Sequence, residues 1–384
     1  MRISGYEIFR VAVPSRRDHL WASKMTEPIG HHVIVRLDTD EGISGWGESP
    51  PGVTWGGPFG RYYGETPGTV SHIIGDFLFP AIQGLDPRQP GVVHEAMGTA
   101  VKGHPYAKAA LDIAIYDAAG RALGVPVSTL LGGAIRDGIE VAHSLGIMED
   151  DQALAEAEQA VSEGARTIKV KTGIDPARDV RLVHRLRERV GEAVKIRVDA
   201  NEGYATVEEA IRVTRAQEEA GIFLCEQPVV GTPGLAAVAA AVGVPVMADE
   251  SAWTAHDMVE LAAARAAACF SCYVTKPGGL YRARQQAEIA ATLGFYCDIG
   301  GSIELGIGNA ANLHLGAALP IASLPSVCPV TTPKGTADGT VAGVYYVDDI
   351  VAERSPFEDG RVLVPDRPGL GVEVDTEKLD HYAT

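Results

Sequence analysis

Four short apolar runs between residues 166 and 250 each end in a charged residue, and their spacing is that of strands alternating with helices. Ile168 and Val170 alternate with Lys169 and Lys171; Ile196-Arg197-Val198 closes at Asp199; Ile222-Phe223-Leu224-Cys225 closes at Glu226; Val244-Pro245-Val246-Met247-Ala248 closes at Asp249. Lys171, Asp199, Glu226 and Asp249 lie 28, 27 and 23 residues apart, the repeat of a strand, a helix and two short connections. The strands are expected at 140–147, 166–171, 194–199, 222–226, 244–249, 269–274, 294–299 and about 322–328. Helical periodicity fills 152–163, 176–190, 206–220, 254–267 and 281–293, and Val180, Val183, Leu186 and Val190 share one face. Eight such units predict a closed α/β barrel of the (β/α)8, modified TIM type over residues 134–335. A doubly wound open sheet is the alternative, but no Gly-x-Gly-x-x-Gly follows the first strand.

The 384 residues exceed what one hydrophobic core of about 250 to 300 residues usually holds, so a second unit is expected. Residues 1–133 read as an α+β capping domain. Residues 31–37 are β-rich, Asp38 to Gly42 supplies a turn, and Ile43 to Trp46 begins the return strand of a hairpin. A helix runs from Tyr106 through Ile113 and Tyr116, ended by Gly120 and Gly124-Val125-Pro126, and Leu130-Leu131-Gly132-Gly133 reads as a boundary. Residues 336–384 are expected to return to the capping domain. Two irregular stretches, 14–30 with Arg16, Arg17, Trp21, Lys24 and Pro28, and 49–64 with Trp55, Phe59, Tyr62 and Tyr63, have the character of binding loops or plain surface loops.

Three acids at consecutive strand ends suit a hard cation. Magnesium takes oxygen ligands and keeps positions for water or a substrate carboxylate, with Mn²⁺ as the close alternative. A single acid in this position often caps the next helix instead. Lys169 and Lys171, one residue apart, face the same side of their strand. An amine becomes a base near neutrality where burial, a second ammonium and a cation disfavour its charged form. The alternative is a lysine pair turned outward among the helices.

The net charge of −17 argues against nucleic acid and anionic membranes as partners. No apolar run of about 18 residues and no leader-like N-terminus is evident, so a cytoplasmic location is expected. Cys225, Cys269, Cys272, Cys297 and Cys328 sit mostly in apolar runs and read as buried free thiols.

Taken together, Gly45-Trp46-Gly47-Glu48, Ala109 to Ala114 with Asp117 and Gly120, Lys169-Val170-Lys171, Asp199-Ala200-Asn201, Glu226-Gln227-Pro228, Ala248-Asp249-Glu250-Ser251, Pro277-Gly278-Gly279 and Gly301-Ser302-Ile303-Glu304 resemble the enolase superfamily. Within it, the likeness is to the mandelate racemase and muconate lactonizing enzyme group. The resemblance implies Mg²⁺ on Asp199, Glu226 and Asp249, supported by Asn201 and Glu250. It also implies abstraction of the α-proton of a small carboxylate by Lys171 with help from Lys169, and a homo-oligomeric protein.

One position departs from the resemblance. The lactonizing subgroup usually carries a second lysine five residues before the glycine pair, and here that residue is Tyr273. Lys276, three residues on, is expected on the opposite strand face, and the seventh strand ends at Cys297-Asp298 with no histidine. A missing second base favours chemistry on one face, dehydration or cycloisomerisation, over racemisation or epimerisation. A non-catalytic metal-binding protein of the same fold is the further alternative. Trp21 and Trp55, with Phe59, Tyr62 and Tyr63, would either form an aromatic cage for a cationic amino or imino acid or only pack the capping domain against the barrel. Asp298 would pair with its amine and Glu304 would orient it; His143 reads as a core residue.

Overall fold

The computed structural model describes residues 1–22, 29–55, 64–301, 303–333 and 339–384. Of the residues named above, Lys24, Pro28, Phe59, Tyr62, Tyr63 and Ser302 lie outside the described residues.

An antiparallel sheet opens the chain in the order Ile3–Ala12, His31–Thr39, Ser44–Ser49. Its last two strands are the expected hairpin. The long helix Pro105–Leu123 lies across this sheet and ends at Gly124, whose φ of 67° places it in the left-handed region that a helix C-terminus favours. Gly120, read above as part of the stop signal, is instead inside the helix. A Cβ there would sit 2.8 Å from the Cα of Gly369 and the carbonyl of Val125, so this glycine serves packing.

Close approach also explains Gly45 and Gly47. They are two apart on one strand, so both face the helix. An added Cβ would fall 2.1 Å from the Ala114 carbonyl at Gly45 and 1.9 Å from the Ala110 carbonyl at Gly47. Gly47→Ala is therefore expected to destabilise the protein by about 1–3 kcal/mol through overpacking. Urea unfolding will show this as a lower midpoint at unchanged slope.

Seven parallel strands form the barrel wall in the order of the sequence: Ala142–Leu145, Thr167–Lys171, Lys195–Asp199, Leu224–Glu226, Val246–Ala248, Cys269–Cys272 and Tyr296–Ile299. Helices follow them as expected, at Asp150–Ser162, Pro176–Val190, Val207–Glu218, Ala255–Ala264 and Leu280–Thr292. Gly231–Ala239 and Gly306–Ala318 complete the ring. The eighth position differs from the strand expected at about 322–328. Single bridges, Cys297 to Ala322 and Val141 to Ser326, close the barrel there. Pro320 and Pro325 lack the N–H groups a regular ladder needs.

The two units are stitched by buried carboxylates. Asp117 accepts from the backbone N–H groups of Trp46 and Leu370, and Asp112 accepts from His94 and from the Leu280 N–H that opens a barrel helix. Glu48 accepts from the N–H groups of Leu305 and Gly308 at the start of helix Gly306–Ala318, where a negative charge meets the helix dipole. The chain end returns to the first strand: Thr384 N–H donates to the Arg10 carbonyl and Ala12 N–H to the Tyr382 carbonyl, both at 2.9 Å. All five cysteines are buried and free. Among the described residues, no helix is long and apolar enough to cross a membrane.

Candidate active site

Register places the charged residues together. Lys171 pairs with Asp199, and Asp199 with Glu226, across adjacent strands, so their side chains reach the same rim. Asp249 follows the next strand. One oxygen from each of Asp199, Glu226 and Asp249 lies within 4.8 Å of the others, and all three residues are buried.

Amines surround these acids. Lys169 Nζ donates to Glu226 Oε1 and contacts Asp199 Oδ2, each at 2.8 Å. Lys171 Nζ donates to Asp199 Oδ2 at 2.7 Å and to Asn201 Oδ1 at 2.8 Å. Asn201 in turn donates to Glu250 Oε1. Burial alone would lower the Lys169 pKa, but the Asp199 and Glu226 carboxylates outweigh it and hold the ammonium above its ordinary value. Burial alone would raise Asp199, and Lys169 and Lys171 instead hold it well below the usual carboxylate range. Burial, then the Asp199 charge, pushes Glu226 up to about 7. Its Oε2 is buried without a hydrogen bond. A compact all-oxygen set with a buried carboxylate oxygen that accepts no hydrogen bond fits a divalent cation.

Strand ends carry backbone strain here. Asn201 and Gln227 have φ of 43° and 36°, left-handed values rare for residues other than glycine. Gln227 uses this turn to accept, through Oε1, from the N–H groups of Asp249 and Ser251.

Lys276 overturns the expectation that it faces away. The strand ends at Cys272, and residues 274–279 form turns closed by Gly278 N–H to Thr275 O and Gly279 N–H to Val274 O, so strand alternation does not extend to it. Its buried Nζ contacts the Asp249 carboxylate and donates to the Asp249 carbonyl at 2.7 Å, with the Tyr273 ring centroid 4.0 Å away. Tyr273 belongs to the sixth strand position and Lys171 to the second, opposite points of an eight-position barrel. Both line one cavity. Burial, then Asp249 and Glu226, pushes the Tyr273 phenol well above its ordinary value. Its ring lies where a Cβ on Gly300 would stand, 2.1 Å from such an atom.

Trp21 and Trp55 also line the cavity, but their ring faces meet the protein's own ammonium groups: Lys171 Nζ is 5.8 Å from the Trp21 ring, and Lys276 Nζ 5.5 Å from that of Trp55. Asp298 and Glu304 are buried outside the cavity wall. Asp298 Oδ2 accepts from Arg197 Nη1 at 2.7 Å inside the barrel, so its charge is already matched. His143 donates through Nε2 to Glu156, because its Nδ1 accepts from Gly343 N–H.

Residues 6–132 match the model of the mandelate racemase / muconate lactonizing enzyme N-terminal domain, and residues 152–378 the enolase C-terminal domain-like model. The chain belongs to the mandelate racemase/muconate lactonizing enzyme family. It is similar to muconate cycloisomerase 1 of Rhodococcus opacus, 34% identical over 99% of this chain and 98% of that one. It is also similar to the N-succinyl-L-Arg/Lys racemase of Bacillus cereus, 29% identical over 99% and 97%. The crystal structure of 2-chloromuconate cycloisomerase from R. opacus superposes with a TM-score of 0.89 at 31% identity, covering both chains fully. Relatives in this family are thus isomerases of both kinds, cycloisomerases and racemases. The family's barrel and capping domain are the architecture described above.

His19, Ser144 and Tyr345 also line the cavity, and none was singled out in the sequence. His19 and Tyr345 come from irregular segments and Ser144 from the first barrel strand; they meet only through tertiary packing. No spacing signal in the chain announces them.

Proposed function

We propose that this protein is a Mg²⁺-dependent enzyme that removes the α-proton of a small carboxylate substrate, with Lys171 as the base. The observation that carries this reading is the Lys171 amine, which lines the cavity and contacts a buried three-carboxylate cluster through Asp199. Asp199, Glu226 and Asp249 would hold the cation; when bound, it supplies charge to stabilise an enolised substrate carboxylate. The α C–H bond breaks and its proton passes to Lys171 Nζ. Asn201 and Asp199 aim that amine, and Lys169 adds a second positive charge beside the developing oxyanion.

With a high-pKa phenol opposite the base, chemistry on one face is favoured. Lys171 can return its proton to a leaving hydroxyl in a syn dehydration, or transfer one proton in a cycloisomerisation. A second reading, racemisation, draws on the relatives' racemase name and on Lys276 lying against Tyr273.

The test is incubation with Mg²⁺ in D₂O and a panel of muconate, N-succinyl amino acids and hydroxy acids, read by ¹H NMR. Exchange or product formation with one α-configuration is expected, and deuterium in both configurations supports racemisation instead. Cation binding with no exchange on any compound would leave the non-catalytic alternative standing. Tyr273→Phe is expected to slow turnover about tenfold, the worth of one hydrogen bond of about 1.4 kcal/mol, with exchange retained.

A further inference from the structure

Beneath the carboxylate cluster, the barrel interior holds two charged groups that the proposed proton transfer does not use. Arg197 stands two residues before Asp199 on the third barrel strand, so its side chain enters the barrel one layer below that of Asp199. Asp298 enters from the seventh strand, beside its register partner Ser271 on the sixth. The third and seventh strands take opposite positions of an eight-position barrel, and the guanidinium spans the gap between them. Both residues are 0% exposed.

Arg197 is drawn to one side. Its Nη1 donates to Asp298 Oδ2 at 2.7 Å and to the Pro325 carbonyl at 3.3 Å. Pro325 belongs to the eighth wall segment, the one bridged to its neighbours only at single points. On the other side, Arg197 Nε lies 3.9 Å from Glu226 Oε2, an ion-pair contact too long for a hydrogen bond. Arg197 Nε and Nη2 and Glu226 Oε2 are all buried without a hydrogen-bond partner among the described residues.

A donor and an acceptor of opposite charge thus stand about 1 Å beyond bonding distance of each other. Buried polar groups without partners are costly, and closing that gap would satisfy both. The guanidinium is planar and rigid, so its place is set by the partners of Nη1, and these lie on the far wall. Lys169 already takes Glu226 Oε1, which makes Oε2 the oxygen that remains for another ligand.

We propose that Asp298 is a positioning residue of the cation site: by anchoring Arg197 across the barrel, it keeps the guanidinium from bonding Glu226 and reserves Oε2 for a divalent cation. This rests on the reading of Asp199, Glu226 and Asp249 as cation ligands and is independent of which group is the base.

Cation binding by the full-length protein tests it, followed with Mn²⁺ by electron paramagnetic resonance and with Mg²⁺ by calorimetry. Asp298→Asn keeps the side-chain shape and releases Arg197 towards Glu226, so affinity for both ions is expected to fall about tenfold or more. Adding Arg197→Met removes the competing guanidinium, and the double variant is expected to return to within about threefold of wild type. A loss of affinity caused only by a damaged fold would persist or deepen in the double variant. Wild-type affinity in a folded Asp298→Asn protein, or a double variant as weak as the single one, overturns the proposal. A second measurement needs no variant. The crystal structure of the magnesium-loaded wild type is expected to keep Arg197 bonded to Asp298, with Glu226 Oε2 on the ion. A loaded structure in which Arg197 Nε bonds Glu226 overturns the proposal even where Asp298→Asn does not fold. Wild type that binds neither ion sinks the cation site and this inference with it, whereas binding by wild type beside an unaffected Asp298→Asn protein sinks this inference alone.

Discussion

Lys171→Ala is expected to abolish both turnover and exchange of the substrate α-proton with D₂O, a fall of at least about 10³-fold. The amine lines the cavity and contacts the carboxylate cluster through Asp199, and the facing Tyr273 has its phenol pushed up by burial. Neither it nor Lys169, held charged by two carboxylates, can replace a lost base. Removing Lys171 also leaves Asp199 with one ammonium partner, so the variant must be shown to fold and to bind Mg²⁺. A folded, cation-binding Lys171→Ala protein with wild-type exchange would sink the assignment.

Glu226→Gln is the second change with a large expected effect. The carboxylate supplies one of three candidate ligands, and its amide replacement removes a negative charge while keeping the shape. Cation affinity should fall more than tenfold, measured by calorimetry with Mg²⁺ or by the electron paramagnetic signal of Mn²⁺. A pH signature accompanies it. Glu226 is raised to about 7 by burial and by Asp199, and only its deprotonated form ligates. In wild type the affinity should therefore rise from pH 5.5 towards pH 7.5, by at most about tenfold per pH unit for one proton. Glu226→Gln should lose this rise. Unchanged affinity, or the same pH slope in the variant, counts against Glu226 as a ligand.

Much of the barrel was legible because its signals are local. Apolar runs with helical segments between them, such as the stretch that sets Val180, Val183, Leu186 and Val190 on one face, mark strands and helices without any tertiary knowledge. The eighth wall segment was misread as a strand because its apolar residues look extended, while its prolines withhold the N–H groups of a ladder. Lys276 was misplaced for a related reason. Side-chain alternation holds only as long as the strand does, and this one stops four residues earlier.

Aromatic composition is a weaker guide. Trp21 and Trp55 line the cavity, but composition cannot say which cation an aromatic face meets, and here Lys171 and Lys276 stand near their rings. Asp298 likewise looked available at a strand tip until Arg197, 101 residues earlier, was found beside it.

By itself, then, the sequence determined the alternating architecture, the rim position of Lys171, Asp199, Glu226 and Asp249, and the tyrosine where a second lysine was expected, because strand period and spacing are properties of neighbours along the chain. Only the tertiary structure decided which charges neutralise one another and which donors face the cavity. Those depend on side chains brought together across the barrel and from the capping segment, as His19, Arg17 and Glu156 are, by packing that no local pattern encodes.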